Sequence, residues 1–272
     1  MTSTGEAVRE AAQRIAGVSD TPRLDAELLM AHAMGVERTT LLLARLDDPV
    51  PPGFAALVEA RLSHTPVAYL TGRRAFWTIE LEVGPGALVP RADSETLIEA
   101  AVAHFVGRAP ATVLDLGTGP GTLLLAALDE WPQARGVGVD RSVQALGYAR
   151  RNAERLDMAR RAQFALGDWA TALDGRFDLV LANPPYIGTD EALPQEVVGH
   201  EPAGALFAGG GGLDAYRLLA PQIARLIAPG GVAVVEIGWT QADAVSALLA
   251  NQGLLTSVKQ DLAGRPRAVV AG

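Results

Sequence analysis

From residue 112 onward the chain alternates short apolar runs with helix-length amphipathic stretches, and this alternation restricts the fold more than any other feature. Strand-like runs lie at 112–114, 136–139, 163–166, 179–182, 232–237, 254–258 and 267–271. Helical stretches at 122–130, 142–156, 213–227 and 241–251 separate most of them. Strands alternating with helices imply a mostly parallel sheet covered on both faces. The expected fold is α/β, and ligands should gather at the carboxyl ends of the strands.

Those ends carry unusual residues. The first is Asp115-Leu116-Gly117-Thr118-Gly119-Pro120-Gly121, whose alternate glycines let a ligand come against backbone as the chain turns into a helix. Nucleotide and S-adenosylmethionine sites both use such loops. Pro120 removes one N–H, a loss that matters more for a pyrophosphate than for a sulfonium amino acid. The second end closes on Asp140, about 20 residues beyond the glycines, where an acid can accept hydrogen bonds from ribose hydroxyls. The third is Gly167-Asp168-Trp169, an acid able to accept from an adenine amino group beside an indole able to stack on the base. The fourth is Asn183-Pro184-Pro185-Tyr186. Neither a strand nor a helix continues through two prolines. The turn leaves an amide, free carbonyls and an aromatic wall, a device for holding a planar group that carries an NH2. Taken singly, these are a helix-capping acid, a turn acid with a core tryptophan, and a strand-ending turn. In succession they resemble the constellation of a class I S-adenosylmethionine-dependent methyltransferase acting on a planar NH2.

The part before residue 70 has another texture. Ala7, Val8, Ala11, Ala12 and Ile15 fall at helical spacing, and Thr21-Pro22 opens a second helix that Gly35 closes. Shorter pieces follow at 39–44 and after Pro52-Gly53. His32 and His64 stand alone, as surface or core residues and not as metal ligands. Residues 75–83 alternate at period two and read as a strand, turning at Gly84-Pro85-Gly86 into a second strand at 87–89. Phe76 and Trp77 read chiefly as packing. Pro90 to Glu95 starts a helix that Asp93 or Ser94 caps. The resulting division is a helical domain at 1–70, a β-hairpin linker at 71–90 and a Rossmann-like domain at 91–272 with a mostly parallel seven-stranded sheet.

The whole chain resembles the release factor glutamine methyltransferase family. The resemblance rests on Thr21–Leu29, on Pro66–Gly72 with Phe76-Trp77, on Val89-Pro90-Arg91, on Asp115–Gly121 and on Asn183–Ile187. Glu201-Pro202 with Ala205-Leu206, and Gly212-Leu213 with Tyr216-Arg217, extend it. The family usually has PRPDTE where this chain has Ala92 and Ser94, and Ser or Thr where Pro120 stands. The resemblance implies S-adenosylmethionine as cofactor and class I peptide chain release factors as protein substrate, methylated on the glutamine amide nitrogen of the GGQ motif. It puts the methionine part of the cofactor on Gly117, Thr118, Gly119, Pro120 and Gly121, the ribose on Asp140, and the adenine by Asp168 and Trp169, with Asn183 bordering the cofactor. Asn183 and the Pro184 carbonyl take the glutamine NH2, and Pro185 and Tyr186 wall the amide plane.

Bulk properties limit the rivals. An adenine-N6 methyltransferase on DNA or RNA shares the NPPY turn, but a formal charge of −8 argues against charge-driven nucleic-acid binding. A non-catalytic dinucleotide-binding module has no use for that turn. There is no cysteine, hence no disulfide framework, thiol nucleophile or thiolate metal site. No apolar run is long enough to span a membrane and the start lacks a secretory pattern, so a cytoplasmic monomer is expected. Residues 188–212, rich in glycine, are expected to form either a lid over the pocket or a plain disordered loop. His200-Glu201-Pro202 within them has no partners at metal spacing.

Overall fold

The computed structural model describes residues 2–272. Two compact units are present. The first runs to Arg73 and takes in residues 193–200 as well. It contains α1 (Thr4–Ile15), α2 (Pro22–Met34), α3 (Arg38–Ala44), α4 (Phe54–Leu62) and α5 (Val67–Thr71). A capping box starts α1: Ser3 Oγ accepts the Glu6 N–H while the Glu6 side chain accepts the Ser3 N–H. Gly35 closes α2 in the left-handed conformation, with φ of 65°. Thr21 does not cap α2; its hydroxyl donates instead to Asp25 Oδ1 at 3.1 Å. Val8, Ile15, Leu29, Met30 and Leu41 meet in a fully buried core.

An ion pair lies inside this helical core. Arg61 Nε donates to Asp25 Oδ2 at 2.8 Å, with both side chains almost wholly buried. The same guanidinium reaches the Val18 carbonyl at 3.2 Å and Glu196 Oε2 at 2.8 Å. Removing one member of such a pair leaves an uncompensated buried charge. Arg61→Ala should therefore cost the full-length chain roughly 3–5 kcal/mol, read as a lowered urea midpoint. An unchanged midpoint would mean that Asp25 is compensated by water or another donor once the guanidinium is gone.

The second unit begins at Arg74, inside β1 (Arg73–Phe76), which pairs with β2 (Ile79–Glu82) in a two-stranded sheet. The turn therefore falls at Trp77-Thr78, inside the expected single strand at 75–83, and residues 87–89 form no strand. The cause is local. Trp77 adopts a φ of 53°, held by its N–H to Glu95 Oε1 at 2.9 Å and its indole N–H to Glu130 Oε2 at 3.2 Å. Phe76 is buried and neither it nor the half-buried Trp77 lines the cleft described below, so packing is the role of this pair.

A single 3-10 turn at Ala92–Ser94 leads into α6 (Glu95–His104), then β3 (Thr112–Leu116), α7 (Thr122–Glu130), β4 (Arg135–Asp140), α8 (Val143–Arg155), β5 (Ala162–Leu166) and β6 (Phe177–Ala182). After α9 (Gln195–His200), which belongs to the helical unit, come α10 (Asp214–Leu226), β7 (Ile227–Glu236), α11 (Ala242–Ala250), β8 (Thr256–Gln260) and β9 (Pro266–Ala271). The seven strands β3 to β9 lie in the order β5-β4-β3-β6-β7-β9-β8. All neighbours from β5 to β7 are parallel, and β9 runs antiparallel to both β7 and β8. The strands read as continuous apolar runs because both faces are covered: β3 is buried from Val113 to Leu116.

The order reverses at β3. The chain steps outward through β4 and β5, then returns to lay β6 on the other side of β3. A doubly wound sheet opens a crevice at such a reversal. Register brings the motifs into line there, since Leu116 pairs with Val139 on one side and with Ala182 on the other. The next residue of each strand is Gly117, Asp140 and Asn183.

Candidate active site

A cleft partly open to solvent occupies this crevice. Its lining includes Gly117, Thr118, Gly119 and Pro120 from the first strand end, Asp140 from the second, Asp168 and Trp169 from the third, and Asn183 and Pro185 from the fourth. Gly121, Pro184 and Tyr186 do not line it. Gly121 instead meets the body of the protein, where a side chain would stand 2.8 Å from Leu125 Cδ1.

The glycine loop is shaped by backbone conformation. Gly117, Gly119 and Gly121 have φ of 77°, 57° and 89°, a region other residues rarely enter. At Gly117 a Cβ would also lie 3.1 Å from the Trp169 ring. Pro120 gives up an N–H, but its carbonyl accepts from the buried Asn152 side chain at 2.9 Å, which fixes the loop to α8. Gly119 N–H donates to Asp140 Oδ2 and Ser142 N–H to Oδ1, both at 2.8 Å. The acid thus orients the loop while itself lining the cleft.

Asp115 is a site residue whose role the sequence left unassigned. It is 1% exposed, and Oδ2 accepts from Thr118 Oγ1 at 2.6 Å and Leu124 N at 3.1 Å. Oδ1 is buried with no partner among the described residues. Burial pushes its pKa up to about 7, against the pull of those two donors.

At the fourth end the Asn183 Nδ2 donates to Ser94 Oγ at 3.3 Å. Among the described residues nothing donates to Asn183 Oδ1 or to the Pro184 carbonyl. Tyr186 turns its hydroxyl away from the cleft and donates to Glu236 Oε1 at 3.3 Å. Its carbonyl accepts from Gln241 Nε2 at 2.9 Å. Gly212 must be glycine here, since a Cβ would fall 2.2 Å from that carbonyl. Glu236, at the end of β7, was missed in the sequence because it closes an apolar strand and belongs to no motif. It is 1% exposed; burial pushes its pKa up to about 7, and the same burial pushes the Tyr186 phenol well above its ordinary range.

The glycine-rich stretch after the turn is not plain loop. Glu201 is buried, accepting from Val89 N at 3.1 Å and pairing with Arg91. Arg141 donates to the Gly204 carbonyl at 2.7 Å. Residues 202, 204 and 205 thereby border the cleft between two tethers. No group of three or more His, Cys, Asp or Glu that could hold a metal occurs among the described residues. Nor is any helix among them long and apolar enough to cross a membrane.

Two family models match the chain: the PrmC N-terminal domain over residues 6–72 and a methyltransferase domain over residues 109–263. The release factor glutamine methyltransferase of Rhodospirillum rubrum is 44% identical over 265 residues, 95% of this chain and 81% of that relative. The protein of the same name from Cereibacter sphaeroides is 44% identical over 275 residues, 98% of this chain and 97% of that relative. Among solved structures, a ribosomal protein L11 methylase from Lactobacillus delbrueckii subsp. bulgaricus superposes with a TM-score of 0.51 at 20% identity, over 71% of this chain and 84% of that one. At that identity the likeness speaks for the fold alone.

Proposed function

The chain belongs to the release factor glutamine methyltransferase family, and on that premise we propose that it transfers a methyl group from S-adenosylmethionine to the side-chain amide nitrogen of the GGQ glutamine in class I peptide chain release factors. The observation that carries this reading is a pair of unengaged acceptors, Asn183 Oδ1 and the Pro184 carbonyl, just past the carboxyl end of the interior strand β6, next to β3 and its glycine loop.

The cleft fits the cofactor. Two glycines in the left-handed region, Gly117 and Gly119, bring bare backbone to it, and the unpartnered Asp115 Oδ1 is an acceptor awaiting a donor such as an ammonium group. Asp140 would take the ribose, with Asp168 and Trp169 beside the adenine and Asn183 at the border with the methyl-bearing end. When bound, S-adenosylmethionine supplies an electrophilic sulfonium methyl. Residues 1–70 act as the helical N-terminal domain in this reading, 71–90 as the hairpin linker and 91–272 as the catalytic domain.

The chain's own work is orientation. An amide nitrogen is a poor nucleophile because its lone pair is delocalised into the carbonyl. Asn183 Oδ1 and the Pro184 carbonyl grip the two N–H bonds and turn the lone pair outward. As positive charge grows on nitrogen, both hydrogen bonds strengthen, so the stabilisation is larger in the transition state than in the ground state; one of the two gripped N–H protons is then released to water, leaving the neutral N-methyl amide. Holding the partners in line supplies a further share of the rate. Pro185 borders the amide plane, and Tyr186 braces the turn from behind.

Incubation with labelled S-adenosylmethionine and a purified class I release factor, beside a GGA variant lacking the glutamine, tests the reading. Label on the wild-type factor alone is the expected result. Label on neither factor, with the cofactor bound, would overturn the substrate assignment. Salt-sensitive methylation of DNA or RNA in its place would favour the adenine-N6 alternative.

A further inference from the structure

Asn183 is useful to an NH2 substrate in only one of its two amide orientations. With Oδ1 outward it accepts an N–H; with Nδ2 outward it confronts donor with donor. Nothing within asparagine itself chooses between them, because the two ends are nearly identical in shape. The choice must come from the group behind the amide, and here that group is Ser94, at 3.3 Å from Nδ2. A hydroxyl is ambiguous in the same way, being both donor and acceptor. Ser94 lacks the usual duty of its position, for it stands at the N-cap of α6 and makes no side-chain cap.

The ambiguity ends at Glu236. Ser94 lies beside this carboxylate and favours its charged form. The contact stops short of full hydrogen-bond geometry, leaving Oε2 without a partner among the described residues. The other oxygen, Oε1, is taken by the Tyr186 hydroxyl, and the Glu236 backbone carbonyl by the Tyr216 hydroxyl at 2.9 Å. Oε2 is therefore the acceptor left for the Ser94 proton.

We propose that Glu236, acting through Ser94, sets which end of the Asn183 amide faces the substrate: Ser94 gives its proton to the Glu236 carboxylate, must then accept from Asn183 Nδ2, and so leaves Oδ1 outward. Ser94 and Glu236 are positioning residues; neither touches the reacting atoms. The inference rests on the reading of Asn183 as the holder of the substrate NH2. Protonating Glu236 reverses the relay. The acid then donates to Ser94, the Ser94 proton turns to Asn183 Oδ1, and the amide presents Nδ2. The groups facing Glu236 are Arg267 of β9, Asp93 of the turn before α6, Tyr186 and Tyr216 of α10. Arg267 favours the charged acid, yet it is shared with Asp93 at 3.0 Å and Asp261 at 3.1 Å. Burial is the larger effect and brings the titration to about 7.

The test uses the full-length enzyme with Ser94→Ala, Ser94→Thr and Glu236→Gln. Ser94→Ala should lower kcat by roughly tenfold, the size of one oriented hydrogen bond, with KM and cofactor affinity little changed. Ser94→Thr restores the hydroxyl and should restore kcat. Wild-type kcat should fall as pH drops through about 7. Glu236→Gln, whose NH2 faces Ser94 as the protonated acid would, should be slow and lack that limb. The side-chain NH2 resonance of Asn183, identified by its absence in Asn183→Ala, should titrate in the wild type and not in Glu236→Gln. Unchanged kcat in Ser94→Ala, an acid limb retained in Glu236→Gln, or an Asn183 resonance indifferent to pH would each overturn the relay. The resonance needs no substrate. Failure of the wild type to methylate a release factor while the resonance still titrates counts against the substrate reading and supports the relay.

Discussion

Asn183→Ala should bind the cofactor and turn over roughly 10²-fold more slowly, the cost of deleting a preorganised hydrogen-bonding group at a developing charge. Alanine removes the outward Oδ1 and leaves the Pro184 carbonyl as the one remaining acceptor for two N–H bonds. The turn itself should survive, because Gln241 holds its backbone at the Tyr186 carbonyl, independently of Asn183. The effect should therefore fall on kcat and not on folding. Single-turnover methyl transfer at saturating cofactor measures it, and near-normal turnover would remove Asn183 from its assigned role.

Asp115→Asn should have opposite effects on the empty and the loaded enzyme. Burial lifts the Asp115 pKa from 3.8 to about 7. A group raised in this way contributes stability that is fully present below its unfolded pKa and lost as pH rises through the folded one. The empty wild-type enzyme should thus weaken on going from acid to neutral pH. The asparagine variant does not titrate, so its melting temperature should overtake the wild type's above pH 7. A tenfold change in an acid's dissociation constant is worth about 1.4 kcal/mol, so the gap can reach a few kcal/mol. Affinity for S-adenosylmethionine should move the other way, falling roughly tenfold with the loss of a charged acceptor. Melting curves across pH, with and without the cofactor, test both arms. A variant that is destabilised at alkaline pH would show that the buried charge is already compensated.

The parallel strands were legible because burial on both faces writes a continuous apolar run, as in Val113-Leu114 and Leu179–Ala182. The helices between them were bounded almost to the residue, since period and length both mark them. The hairpin was misplaced because Trp77 enters a left-handed turn held by Glu95 and Glu130, partners 18 and 53 residues away. The last sheet crossover was also shifted. β7 begins at Ile227, five residues before the expected start at 232, and accommodates Pro229-Gly230-Gly231 where its register with β6 slips. The cleft could be anticipated from four strand ends, each a local signal. The support of Asn183, by Ser94 on the cleft wall and Glu236 beyond it, could not. Ser94 reads as a helix cap and Glu236 as the close of an apolar strand, and their meeting is created only by the tertiary fold. Helix α9 was hidden for a simpler reason: none of its residues is buried, so it carries no apolar period.

That short helix governs how the protein can be taken apart and recombined. Residues 193–200 group with the helices up to Arg73 although more than a hundred residues separate them in sequence. Glu196 brings the buried Arg61 a second carboxylate. An exchange of N-terminal domains between two relatives by a single crossover near residue 73 would carry Arg61 into a chain whose 193–200 segment had been selected beside another helical surface. A viable chimera should need both segments from the same parent, so that the grammar of recombination in this chain is two cuts and an island, not one cut.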